Sequence, residues 1–365
     1  MNIILYIIFA LSSLFIGFIN LNPQFGSNPT SQQKKYYSIY NNYSNDEFKN
    51  IEQTIMVTGD MPISEFFIRD STRVPNNQIE YRKINLEYLI NPQNKIIKFA
   101  WLGHSSFIFN IGGKVIMLDP MLSDYASPIP ISSLKRFGPN PQKILSMDNI
   151  DSIDIVIFSH DHYDHLDYKS IKKLKNKVKK YYVPLGLGNH LKGWGIDSKF
   201  ITELNWDQKS KFDDIEIICL PSRHFSGRGP FNRNSTLWAS WAILSEYGKV
   251  YFSGDSGYGK HFKNIGKEYG PFDIVLIDSG QYNQAWKHSH MFPNEAVIAA
   301  KDLRAQYFMP IHWGAFVLST HPWDEPIYES IYYANKYNQN ILTPIIGQLV
   351  NLNSSNHIKY KWWEN

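Results

Sequence analysis

The sequence predicts an α/β chain folded as a four-layer αββα sandwich built from two ββαβ-like halves. Three observations carry this prediction: short β-rich runs punctuated by Gly and Pro, helical stretches between them, and an internal repeat. "SFIFNIGGKVIMLDP" (106 to 120) is echoed by "WAILSEYGKVYFSGDS" (241 to 256). Each reads as two strands joined at a tight turn, Gly112-Gly113 in one and Tyr247-Gly248 in the other, with the second strand ending at an aspartate. Further on, "DIVIFSH" (154 to 160) matches "DIVLIDS" (273 to 279), and "YVPLG" (182 to 186) matches "FMPIH" (308 to 312). Helical stretches near 167 to 177 and 293 to 304 separate these pairs, the second starting at Pro293, where proline is tolerated. Two such units place sheet against sheet, with helices outside.

In chain order, the first element is the apolar run Ile3 to Ile19, with no charged side chain before Lys34. Its 17 residues sit at the lower limit for a spanning helix. We expect an uncleaved membrane anchor; a cleaved signal and a helix buried against the body are the alternatives. Lys34 and Lys35 on its C-terminal side favour a body on the cytoplasmic side. A chain starting near Lys34 is expected to fold and stay soluble.

Residues 21 to 95 read as an extension packed on the body, ordered but irregular, docked through aromatics such as Tyr36, Tyr37, Tyr40, Tyr43, Phe66 and Phe67. The body runs from 96 to 352 and a tail from 353 to 365. With 43% apolar and 15% aromatic residues the chain has ample material for a core. A net charge of +4 carries no nucleic-acid signature, and no nucleic-acid partner is expected. The only cysteine, Cys219, excludes an internal disulfide.

The stretch "FSHDHYDHLD" (158 to 167) leaves a β-branched run, so His160 stands where a strand leaves its sheet, the position where α/β sheets bind ligands. His160, His162, Asp164 and His165 then converge from one loop. Imidazoles and a carboxylate suit a borderline divalent metal such as zinc. The repeat extends the set to corresponding strand ends, Asp255 after "KVYFSGD" and His312 after "YFMPIH", while "IICLPSRHFSG" adds His224. Five His and two Asp exceed the needs of one metal and suffice for two sharing a carboxylate.

"HDHYDH" (160 to 165) resembles the HxHxDH signature of the metallo-β-lactamase superfamily. "WLGHSSF", "LDP", "ASP", "RHFSGR", "SGDSGY", "SHMFPNEAV" and "IHWGAF" resemble its subgroup related to N-acyl-phosphatidylethanolamine-hydrolysing phospholipase D, over roughly residues 96 to 350. "NPQFGSNP" (22 to 29) is similar to the start of bacterial, membrane-associated members. The resemblance implies one metal on His160, His162 and His224, a second on Asp164, His165 and His312, and Asp255 between them. It also implies that His290 contacts substrate; Asp164 and His290 are the expected catalytic residues. Two divalent ions, with Zn²⁺ the first choice and Fe or Mn the others, would lower the pKa of a shared water and stabilise charge on a phosphoryl oxygen.

The leading expectation is a membrane-associated phosphodiesterase acting on a phospholipid. Its alternatives are a lactonase or carboxylic ester hydrolase, and a binding protein without catalysis on the same scaffold. His104 is expected beside the site rather than in catalysis, and Tyr163 in packing. At least one of Arg223, Arg228 and Arg233 is a candidate for binding phosphate. The lysine run from 169 to 180 reads as a solvated face.

Overall fold

The computed structural model describes residues 2 to 59, 65, 70 to 91, 95 to 354 and 361 to 364. Side chains are described from Leu5 onward. Phe66 and Phe67 therefore lie outside the described residues.

A helix, α1 (Asn2–Leu21), opens the chain, and a second, α2 (Ser31–Tyr37), starts at a capping box in which Thr30 and Gln33 satisfy each other's backbone. A two-stranded ribbon follows, β1 (Tyr43–Ser44) with β2 (Glu47–Phe48). Tyr37, Tyr43 and Phe48 bury one another, with ring centroids 4.8 to 5.6 Å apart, and dock this extension. Tyr36, expected to dock as well, is half exposed and pairs with Tyr40 instead.

The body contains two sheets. One holds β3 (Ile97–Trp101), β4 (Phe107–Ile111), β5 (Lys114–Leu118), β6 (Ile153–Ile157), β7 (Val178–Pro184) and β8 (Ile201–Leu204) in sequence order, edged by β15 (Leu349–Asn351) beside β3. The other runs β9 (Lys209–Phe212), β10 (Ile215–Leu220), β11 (Ser240–Ser245), β12 (Gly248–Phe252), β13 (Ile274–Asp278) and β14 (Tyr307–Ile311). The repeat appears as matching topology: an antiparallel hairpin, then two parallel strands, in both β4 to β7 and β11 to β14. Gly112 and Gly113 take φ of 59° and 95°, the left-handed values a two-residue hairpin turn needs.

Strands β3, β4, β6, β13 and β14 are buried along their whole length, as expected for sheets covered on both faces. One continuous core joins the two sheets, and Trp241 Nε1 on β11 donates to the Phe158 carbonyl at 3.0 Å across it. Helix α3 (Tyr168–Leu174) follows β6, capped by the Asp167 carboxylate on Ser170 N, and α4 (Gly188–Gly193) follows β7. Helices α5 (His261–Glu268), α6 (Pro293–Asp302) and α7 (Glu325–Lys336) belong to the second half. The expected four-layer fold and both expected helices are present, each a little shorter than the sequence pattern. Near the C-terminus Trp362 stacks on Trp313 at 5.2 Å and is buried, so part of the tail joins the core.

Among the described residues no helix is long and apolar enough to cross a membrane. Helix α1 exposes apolar side chains around its circumference, including Leu5, Phe9, Leu14 and Leu21.

Candidate metal centre

All seven residues expected as ligands meet at the C-terminal ends of the strands. His160 stands just beyond β6, Asp255 beyond β12, His312 beyond β14 and His224 beyond β10. The loop after His160 folds back on itself, with His165 N and Leu166 N both donating to the His162 carbonyl. That turn brings His162, Asp164 and His165 beside His160 within a single loop.

Four overlapping groups of potential ligand atoms result, each lying within 4.8 Å of one another: His160, His162, His224 and Asp255; His104, Asp164, His165 and His312; Asp255, Asp278, His290 and His312; and Asp119, His160 and His165. In the first, His160 Nε2 is 2.9 Å and His224 Nε2 3.3 Å from His162 Nδ1, and both Nε2 atoms are 3.7 Å from Asp255 Oδ2. In the second, Asp164 Oδ2 is 3.0 Å from His312 Nε2 and 3.4 Å from His165 Nε2. Asp255 reaches this group too, with Oδ1 3.1 Å from His165 Nε2 and Oδ2 3.3 Å from His312 Nε2. One carboxylate thus faces four imidazoles. His104, expected beside the site, is 2.8 Å from Asp164 Oδ2 and belongs geometrically to the second group.

The nitrogens that face away are also held. Ser159 Oγ lies 2.9 Å from His160 Nδ1, Asp119 Oδ2 2.6 Å from His165 Nδ1, and the Ser289 carbonyl 3.0 Å from His224 Nδ1. Asp278 Oδ1 stands 3.3 Å from His312 Nδ1, and its other oxygen is 2.8 Å from His290 Nδ1. Such outer contacts fix ring orientation and tautomer, as around metal-bound histidines. Sequence reasoning passed over Asp119 and Asp278 as site residues. Both stand at the carboxyl ends of strands, β5 and β13, so the rule that found His160 also applies to them.

The fit to a divalent cation rests on these atoms. His165 Nε2 and Asp255 Oδ1 are buried without a hydrogen-bond partner, 3.1 Å apart, although both point into the cluster. Buried polar atoms without partners are rare, and two converging at one point are what a cation would satisfy. The electrostatics agree. Burial pushes His160 and His224 well below the usual imidazole range, leaving lone pairs to donate. For His165 and His312, burial is outweighed by carboxylates: Asp255 and Asp164 hold His165 well above its usual value, and Asp255 and Asp278 push His312 up to about 10. Carboxylates that raise both imidazoles in this way would be balanced equally by a cation.

Backbone strain supports the cluster. His104 and His312 adopt left-handed φ of 55° and 69°, and each donates from N to the neighbouring segment, His104 to Trp313 O and His312 to His104 O. Gly280 packs so close that a Cβ there would lie 1.9 Å from the His312 carbonyl oxygen.

A cavity of about 340 Å³ opens over the first two groups. His290 lines it, as do the apolar Met56, Val57, Phe225, Trp286 and Leu318. The extension therefore contributes to the site, through Met56 and Val57 on the wall and through Asn50, which bonds both the N and O of His224. Tyr163 packs as expected, its ring under Arg228 and its hydroxyl donating to the Arg228 carbonyl. The lysine run is only partly a free face: Lys177 donates to the Met147 and Ile150 carbonyls, and Lys179 pairs with Asp154.

Comparison with known proteins agrees with this geometry. The sequence profile of the family described as "Beta-lactamase superfamily domain" matches residues 114–313. The chain is 36% identical over 331 residues to the uncharacterized protein Rv0906 of Mycobacterium tuberculosis (strain ATCC 25618 / H37Rv), covering 88% of this chain and 87% of that protein. It is 38% identical over 233 residues to N-acyl-phosphatidylethanolamine-hydrolyzing phospholipase D 1 of Caenorhabditis elegans, covering 60% of this chain and 65% of that one. Among solved structures, Igni18, a metallo hydrolase of Ignicoccus hospitalis KIN4/I, superposes with a TM-score of 0.53 at 20% identity, covering 73% of this chain and 99% of that one. This last likeness concerns the fold alone.

Proposed function

The chain belongs to the metallo-β-lactamase superfamily and is a metal-dependent hydrolase, and on that premise we propose that it is a dinuclear phosphodiesterase of the phospholipase D type, acting on a phospholipid such as N-acyl-phosphatidylethanolamine. The observation that carries this reading is the Asp255 carboxylate, 3.1 to 3.7 Å from the Nε2 atoms of four histidines in two groups. His160, His162 and His224 would hold one ion and Asp164, His165 and His312 the other, with Asp255 shared and Zn²⁺ the first choice for a His-rich set. When bound, such ions supply Lewis acidity and an activated water.

The chain's own groups do the rest. His290 has its Nδ1 committed to Asp278, which leaves Nε2 for the cavity. There it would hold a proton for a phosphoryl oxygen or for the departing alcohol. Met56, Val57, Trp286 and Leu318 offer an apolar wall for an acyl chain. The exposed apolar side chains of α1 favour attachment to the lipid surface that carries such a substrate.

The test gives purified, Zn²⁺-loaded protein N-acyl-phosphatidylethanolamine, a simpler phosphodiester and a lactone side by side. Turnover of the phosphodiesters supports the reading. Turnover confined to the lactone replaces it with a lactonase on the same metal pair.

A further inference from the structure

Three arginines flank the His224 loop, and the fold uses them differently. Arg223 is spent on the extension and its neighbours: its donors reach Thr54 Oγ1, the Tyr258 carbonyl and the Gln53 carbonyl at 2.8 to 3.1 Å. Arg228 is fully buried, donating to the carbonyls of Gln24, Asp161 and Leu166. Arg233 makes no hydrogen bond and no ion pair among the described residues, is exposed, and lines the cavity over the metal groups.

One aromatic ring supports it. The guanidinium lies 4.6 Å from the Phe225 ring centroid, and Phe225 in turn packs edge-on against His162 at 4.6 Å. A guanidinium resting on an aromatic face keeps its N–H edge free, and that planar fork matches two oxygens of a phosphate or carboxylate. The acidic residues lining the cavity are Asp164 and Asp255, both within the metal groups, so no carboxylate there competes for Arg233.

We infer that Arg233, seated on Phe225, is an anion-recognition subsite of the cavity, and that the molecule it takes is an amphiphile with a phosphate-type anionic oxygen next to its hydrocarbon part. Arg233 lines the same cavity as the metal groups and the apolar Met56, Val57, Trp286 and Leu318, so one pocket offers surfaces to both parts of such a molecule. The inference rests on reading this cavity as the site of hydrolysis, but not on which bond is cleaved. A phosphodiester and a phosphorylated lactone would use the same contact.

Equilibrium binding tests it without relying on turnover. Zn²⁺-loaded full-length protein and its Arg233→Ala and Arg233→Lys variants are titrated calorimetrically with decyl phosphate, with neutral 1-decanoylglycerol and with inorganic phosphate. Arg233→Ala should weaken decyl phosphate at least about tenfold, the size of one lost charge-assisted pair. Arg233→Lys should recover part of this, with 1-decanoylglycerol unchanged and both metals retained. If inorganic phosphate weakens equally, the subsite reads any phosphate; if only decyl phosphate does, it reads a lipid headgroup. Decyl phosphate affinity within twofold of wild type, or an equal loss for the neutral amphiphile, overturns the assignment. Wild-type protein that binds decyl phosphate through Arg233 but hydrolyses only a lactone keeps the subsite and loses the phosphodiesterase reading.

Discussion

Arg228 Nε donates to the Gln24 carbonyl at 2.9 Å, joining positions 204 residues apart. The same guanidinium donates from Nη1 to Asp161 O and Leu166 O, at opposite ends of the loop that carries His162, Asp164 and His165. Around it, Trp194 Nε1 donates to Pro23 O, and Ser27 N donates to His190 Nδ1, whose other nitrogen is 3.2 Å from Asp161 Oδ2. Residues 22 to 28 thus form a strap behind the metal loop. A chain beginning near Lys34, expected from sequence to fold unaided, lacks it.

Two truncations should therefore behave differently. A chain starting at Asn22 should keep wild-type metal content and lose binding to sedimented phospholipid vesicles, because burial of apolar area in lipid contributes about 25 cal/mol per Å² and α1 supplies that area. A chain starting at Lys34 should in addition unfold several degrees lower and yield its metal to a competing chelator more readily. Equal metal retention by the two truncations would remove the strap's role.

Replacing Asp278 by Asn should lower kcat by about 10- to 100-fold, the usual cost of losing a group that orients a ligand or catalytic imidazole. Because Asp278 acts through His290 and His312, the substitution should cost much less when His290 is already Ala. Additive losses in the double variant would show that Asp278 acts through His312 rather than through His290.

Elemental analysis of the loaded protein should find two metals per chain, one in His312→Ala and fewer than one in Asp255→Ala, with activity nearly absent in both. Two metals in the Asp255 variant would mean that this carboxylate is not shared.

Acid stability should depend on His261, which is not a member of the metal groups. Burial, with Arg223 adding repulsion, holds this imidazole down to about 3, below the value of about 6.5 it takes in an unfolded chain. Below pH of about 6.5 the unfolded state binds a proton that the folded state refuses, so stability is complete above that pH and falls as pH drops toward 3. In metal-free protein, His261→Gln should flatten urea-derived stability against pH by up to about 1.4 kcal/mol per unit across that window. Parallel curves for both chains would contradict the assignment.

The loop from His160 to His165 was legible in the sequence because its ligands are neighbours, and a strand followed by a tight turn brings neighbours together whatever surrounds them. Asp255 and His312 were legible for a related reason: the repeated ββαβ pattern places equivalent strand ends at one edge of the fold. Tertiary structure alone decided what holds these groups and what they face. Asp119 and Asp278 become partners of His165 and of His290 and His312 only because separate strands end side by side. Arg228 and Arg233 stand five positions apart in one loop, yet one is buried against main-chain carbonyls and the other lies open on Phe225. Local sequence gives both the same charge and the same reach. Whether a guanidinium is consumed or left for a ligand depends on the acceptors that distant segments bring to it, here Gln24 from the far end of the chain.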